Sequence, residues 1–134
     1  MSEKNPSPRQ SIDQIDARIV ELLDQRATLA LEAGQAKAAA GEGAYAPPRE
    51  AAILSQVDQT PAGAFPRNSL KAVFGEIISA CRHLQTQDHI VVLGEKFGWV
   101  HDAALAQFGS SAGFDAVEGG DEVVEAIRKD PSIL

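Results

Sequence analysis

The sequence predicts an all-α unit of three helices over residues 1–87, followed by an incomplete α/β segment over residues 88–134. Two observations predict it. Up to Gln85 apolar residues recur in steps of three and four, and after Thr86 the pattern changes to buried-strand runs alternating with short helical stretches. Charge divides at the same place. The net charge of −7 splits into 9 basic and 10 acidic residues through Gln87, then 3 basic and 9 acidic residues from Asp88 onward.

Helix one is expected over Ser11 to Ala40. Ile12, Ile15, Ile19, Leu22, Arg26, Leu29, Ala33, Ala36 and Ala40 alternate steps of three and four, which is a heptad seam. At 1.5 Å per residue this helix is about 45 Å long. A compact chain of this unit's size is only about 25–30 Å across. The helix therefore overhangs any core its own chain can build. Its seam asks for a partner, most simply a second copy in a two-fold dimer.

Gly41 and Gly43 end helix one, and Pro47-Pro48 fit the first turn of helix two. Helix two is expected from Arg49 to Gln59, with Ile53, Leu54 and Val57 inward, until "TPAGAFP" breaks it. Helix three is expected from Asn68 to Gln85. Its inward residues are Leu70, Val73, Phe74, Ile77, Ile78, Cys81 and Leu84. Beyond Thr86, "HIVVLG" reads as a buried strand, "WVHDAALAQFG" as a helix, "FDAVE" as a strand and "DEVVEAIRKD" as a helix. That order opens an α/β domain. So short a segment has too little core to stand alone, and the chain stops on "SIL" where another strand is expected.

Composition narrows the function. Cys81 is the sole cysteine, so no disulfide forms within the chain. The polar start "MSEKNPSPRQ" is no secretory signal, and no run reaches the roughly 18 apolar residues that span a membrane. A cytoplasmic protein without membrane contact is expected. The acidic balance argues against nucleic acid. His83, His89 and His101 lack ligand spacing, so no metal is expected, and "LGEKFG" is not a phosphate-loop pattern.

Four polar groups interrupt the apolar stripes. Arg26 occupies a seam position, and Lys37 follows 11 residues later, pointing the same way about 16 Å along the axis. Glu50 stands in the stripe of Ile53, Leu54 and Val57. Gln85 closes the stripe of Phe74, Ile78 and Cys81. Burying such groups without partners costs several kcal/mol each. Two readings meet that cost. In one, Glu50 pairs with Arg26 or Lys37 while the long side chains reach solvent. In the other, the cluster lines a pocket for a small polyanion, with Glu50 held for a hydroxyl.

The stretches "SIDQIDARIVELLDQRATLALEAGQAKAAAG", "YAPPREAAIL" and "VFGEIISACRHLQ" resemble the all-helical chorismate mutases, over residues 9 to 86. "HIVVLGEKFGWVHDAALAQFG" resembles the opening of a prephenate dehydratase domain, whose catalytic threonine region would lie beyond Leu134, so no dehydratase activity is expected. The resemblance implies an intertwined, domain-swapped helical homodimer with two active sites and no cofactor. In each site Arg9 would reach in from the partner chain, and Arg26, Lys37, Arg49, Glu50, Cys81 and Gln85 would come from the other. Ala46 stands where the family often has Asp, with contact through the backbone N–H. Cys81 stands where a hydroxyl residue is common.

By the same resemblance the substrate is chorismate and the product prephenate. Arg9 and Arg26 would grip the carboxylates, and Lys37 and Gln85 would donate to the ether oxygen. Glu50 would accept from the ring hydroxyl, with Arg49 positioning it. An isochorismate–pyruvate lyase on the same fold, a non-catalytic helical dimer that binds an anionic metabolite, and the first part of a bifunctional enzyme are the alternatives.

Overall fold

A capping box starts the first helix earlier than periodicity alone suggests. The Ser7 hydroxyl accepts from the Gln10 N–H at 3.3 Å, and the Gln10 side chain accepts from the Ser7 N–H at 2.9 Å. Pro8 follows at the first helical position, so α1 runs Pro8–Ala39 rather than from Ser11. The computed structural model describes residues 6–61, 63–86, 89–131 and 133.

The end of α1 is a Schellman turn. Glu42 N–H donates to the Lys37 carbonyl at 2.9 Å and Gly41 N–H to the Ala38 carbonyl at 3.0 Å. Gly41 takes φ +76°, a left-handed conformation that costs glycine nothing. The loop then enters α2 (Pro47–Gln59) through Ala46, whose carbonyl accepts from Arg49 and Glu50 N–H. The third helix, α3 (Arg67–Gln85), starts where Arg67 donates to the Val57, Asp58 and Thr60 carbonyls at the end of α2. The last carbonyls of a helix have no partner four residues on, and the guanidinium caps them, joining the Thr60 N–H that donates to the Val57 carbonyl at 3.3 Å.

Helices α1 and α2 both pack on α3. Val57, Ile78 and Cys81 are buried between them, and Ile53 and Leu54 are half-buried as the pattern expects. Two expected inward residues of α3 are not covered: Val73 is 46% exposed and Leu84 53%. Each sits at the edge of the α3 stripe, beyond the reach of α1 and α2 in a single chain. The seam of α1 stays open too. Ile12, Ile15, Ile19, Leu22 and Leu29 are all about half exposed or more, and none of the 32 residues of α1 is buried.

After Thr86 come β1 (His89–Leu93), α4 (Trp99–Phe108), β2 (Gly113–Val117) and α5 (Gly120–Lys129). The strands pair in parallel, His89 opposite Gly113 through Leu93 opposite Val117, with α4 as the crossover. Ile90, Val92 and Ala112 form a small core under Val100, Ala104, Phe108 and Phe114.

This segment docks on α3. The Glu76 carboxylate accepts from the Ser110 N–H at 3.0 and 3.1 Å and from its hydroxyl at 2.6 Å. Gly109, at φ +79°, permits the approach, since a Cβ there would lie 2.4 Å from the Cβ of Ser79.

Candidate active site

A cavity of about 650 Å³ lies between α1, α2, α3 and the loop that follows α1. Arg26 and Lys37 enter it from the same face of α1, three turns apart, with Leu29, Ala30 and Ala33 as the apolar wall between them. The loop and α2 supply Ala44, Ala46, Arg49, Glu50 and Ile53, and α3 supplies Ile78, Cys81, Arg82 and Gln85. Seven of the eight residues singled out by the sequence therefore share one cavity: Arg26, Lys37, Ala46, Arg49, Glu50, Cys81 and Gln85. The eighth, Arg9, is exposed in the first turn of α1, about 25 Å along the axis from Arg26, and does not line the cavity of its own chain.

The hydrogen bonds give Glu50 a partner that neither reading of the sequence named. Glu50 pairs with neither Arg26 nor Lys37. Its Oε1 takes the Nη1 donor of Arg82 at 2.5 Å, in an ion pair whose side chains are 3% (Arg82) and 17% (Glu50) exposed. Arg26 instead points Nη1 at the Cys81 sulfur, 2.9 Å away, so the thiol acts there as an acceptor that aims the guanidinium. Arg26, Lys37 and Arg49 make no ion pair among the described residues.

Gln85 lies against Gly34 of α1, and its buried amide oxygen has no hydrogen-bond partner among the described residues. The Ala46 N–H donates to no group among them either. Among the described residues the cavity thus offers three cations without an ion pair and a backbone donor without a partner, together with the Gln85 amide and one carboxylate held at one oxygen. Such a set suits a small dianion carrying a hydroxyl.

Residues 8–86 match the chorismate mutase type II family. The chain belongs to that family. Its curated relatives are longer proteins. Over 108 residues the chain is 38% identical to the bifunctional chorismate mutase/prephenate dehydratase of Aquifex aeolicus (strain VF5), which covers 78% of this chain and 30% of that protein. Over 105 residues it is 36% identical to the protein of the same description from Neisseria gonorrhoeae (strain ATCC 700825 / FA 1090), covering 78% and 28%. Over 124 residues it is 31% identical to that of Stutzerimonas stutzeri, covering 89% and 34%. The chain therefore spans about a third or less of the length of these relatives. Coverage of 89% cannot be supplied by residues up to Thr86, so the similarity continues from the chorismate mutase type II region into the α/β segment.

Arg82 is a site residue that the apolar periodicity does not single out. It follows Cys81 directly and lies off the stripe of Phe74, Ile78, Cys81 and Gln85 traced there, near the end of a helix where a basic residue reads as a solvated cap. One signal was available: Arg82 stands four residues after Ile78, on the same face of the helix.

Proposed function

We propose that this chain rearranges chorismate to prephenate, in aromatic amino-acid biosynthesis, within a homodimer whose two sites are each built from both chains. The observation that carries this is the convergence of Arg26, Lys37, Arg49, Glu50 and Gln85 on one cavity with cationic capacity to spare. The half-exposed seam of α1 supports the dimer, and a partner chain is what would bring Arg9 into reach.

The reaction is pericyclic and takes one substrate. The protein has two tasks: to hold the enolpyruvyl ether over the ring in the conformer that can react, and to stabilise negative charge that grows on the ether oxygen as its C–O bond breaks. Arg26, aimed by Cys81, and Arg9 of the partner chain grip the two carboxylates through paired N–H donors. Lys37 and the Gln85 amide donate to the ether oxygen. Glu50 accepts from the ring hydroxyl, the Ala46 N–H contributes a further donor, and Arg49 adds positive field. Residues 1–87 form the catalytic unit and residues 88–134 a second unit, which meets α3 through Phe108, Gly109 and Ser110.

The test is loss of chorismate absorbance with purified protein, followed by product analysis. Prephenate formation supports the proposal. Binding without turnover, or pyruvate release from isochorismate alone, overturns it.

A further inference from the structure

The arginine that holds Glu50 is itself held by the α/β segment. Arg82 is buried, and its Nη2 donates to the main-chain carbonyl of Phe108 at 2.7 Å. Phe108 is the last residue of α4. A carbonyl there has no partner along the helix and lies at the negative end of its dipole, which favours a cation. The guanidinium carbon lies 5.3 Å from the ring centre of Tyr45 and 5.6 Å from that of Phe108, within cation–π range of both. The two rings touch, 5.3 Å apart at 54°. Tyr45 belongs to the loop after α1, and its hydroxyl accepts from the Gln107 amide at 3.4 Å.

Arg82 and Glu50 also form a partition. Together with Ile78 they line both the 650 Å³ cavity and a second one of about 390 Å³, which Leu105 to Gly109 also line.

We infer that Arg82 is a positioning residue for the mutase reaction: it takes one oxygen of Glu50, leaves the other for the ring hydroxyl, and draws its own position from the end of α4. The α/β segment is then part of the support of the mutase site. This rests on the mutase reading above. A carboxylate can only accept, and a charge-assisted bond at Oε1 restrains the group while Oε2 stays able to accept. Lysine would not reproduce this, since its single nitrogen has neither the rigid fork that sends separate Nη donors to Glu50 and the Phe108 carbonyl nor a flat face to lie against two rings.

The test is a double-mutant cycle on the full-length chain: wild type, Arg82→Gln, Glu50→Gln and the double variant, with kcat/KM for chorismate and Tm measured on each. Arg82→Gln is expected to lower kcat/KM by roughly tenfold or more, the scale of a misplaced reacting group. In the Glu50→Gln background the same change is expected to cost less than about twofold, because neighbours that act through one another are not additive. Phe108→Leu keeps the carbonyl and the apolar bulk but removes one ring from Arg82. It is expected to show a smaller loss with the same dependence on Glu50, and it carries the test if Arg82→Gln does not fold. An equal loss in both backgrounds, or no loss, overturns the inference and leaves Arg82 as glue between α3 and α4. A wild type that leaves chorismate unchanged overturns the mutase reading itself, and that control separates the two failures.

Discussion

A Cβ at Gly34 would lie 2.7 Å from Cγ and 3.0 Å from Cδ of Gln85, so the absence of a side chain on α1 is what lets Gln85 lie flat against it. The contact joins the last third of α1 to the last turn of α3, where Gln85 lines the cavity. Gly34 is helical, where alanine is worth about 1 kcal/mol more in helix propensity. Gly34→Ala is therefore expected to leave the fold intact while forcing Gln85 into another rotamer. Losing a transition-state donor costs about 10²-fold in kcat. A variant with unchanged or raised Tm and kcat lowered toward that scale is the expected result. Unchanged kcat would show that Gln85 does not act where proposed.

Among the described residues Lys37 and Arg26 make no ion pair that would explain their place in the cavity, so their removal should cost the reaction more than the fold. Lys37→Ala is expected to lower kcat/KM by about 10²-fold or more, and Arg26→Ala similarly through lost grip and orientation. Circular dichroism should show native helix content in both. Near-normal turnover in both variants would place the reaction elsewhere.

The shared site makes a prediction about mixtures. Sedimentation should give a particle of twice the 14.2 kDa chain mass, since about half of the seam surface on α1 is bare in one chain. Arg9→Ala and Lys37→Ala should each be inactive alone. Unfolded together and refolded as a mixture, they should recover about a quarter of wild-type activity, because half the dimers are mixed and each mixed dimer carries one intact site of two. No recovery would mean that Arg9 serves its own chain or none.

What the sequence made legible follows from how far apart the partners are along the chain. The three helices, the change of period after Thr86 and the convergence of Arg26, Lys37, Glu50 and Gln85 all rest on spacing within one element or on a polar residue in an apolar stripe. Those are local signals, and the structure places all four residues on one cavity. The partner of Glu50 is not local. Arg82 lies 32 residues from Glu50 and 26 from Phe108, and periodicity carries no information about which cation a buried carboxylate finds. Val73 and Leu84 failed for the reverse reason, since a helical stripe shows which face is apolar but not how wide a neighbour will cover it.

The acid–base character of position 85 gives the last prediction. The wild-type amide donates at any pH. In Gln85→Glu the carboxylic acid can donate to the ether oxygen only while protonated, and its ordinary pKa is about 4.3. Burial against Gly34 disfavours the charged form and raises that value, whereas the cations of the cavity lower it. In either case the donor is present at low pH and lost as pH rises through the carboxyl's pKa, where a carboxylate replaces it beside a developing negative charge. The ratio of variant to wild-type kcat/KM isolates this position, because every other titrating group is common to both proteins. The ratio should be highest at the acid end of the accessible range and fall by about tenfold per pH unit above the pKa. A ratio independent of pH would show that the side chain at position 85 does not touch the breaking bond.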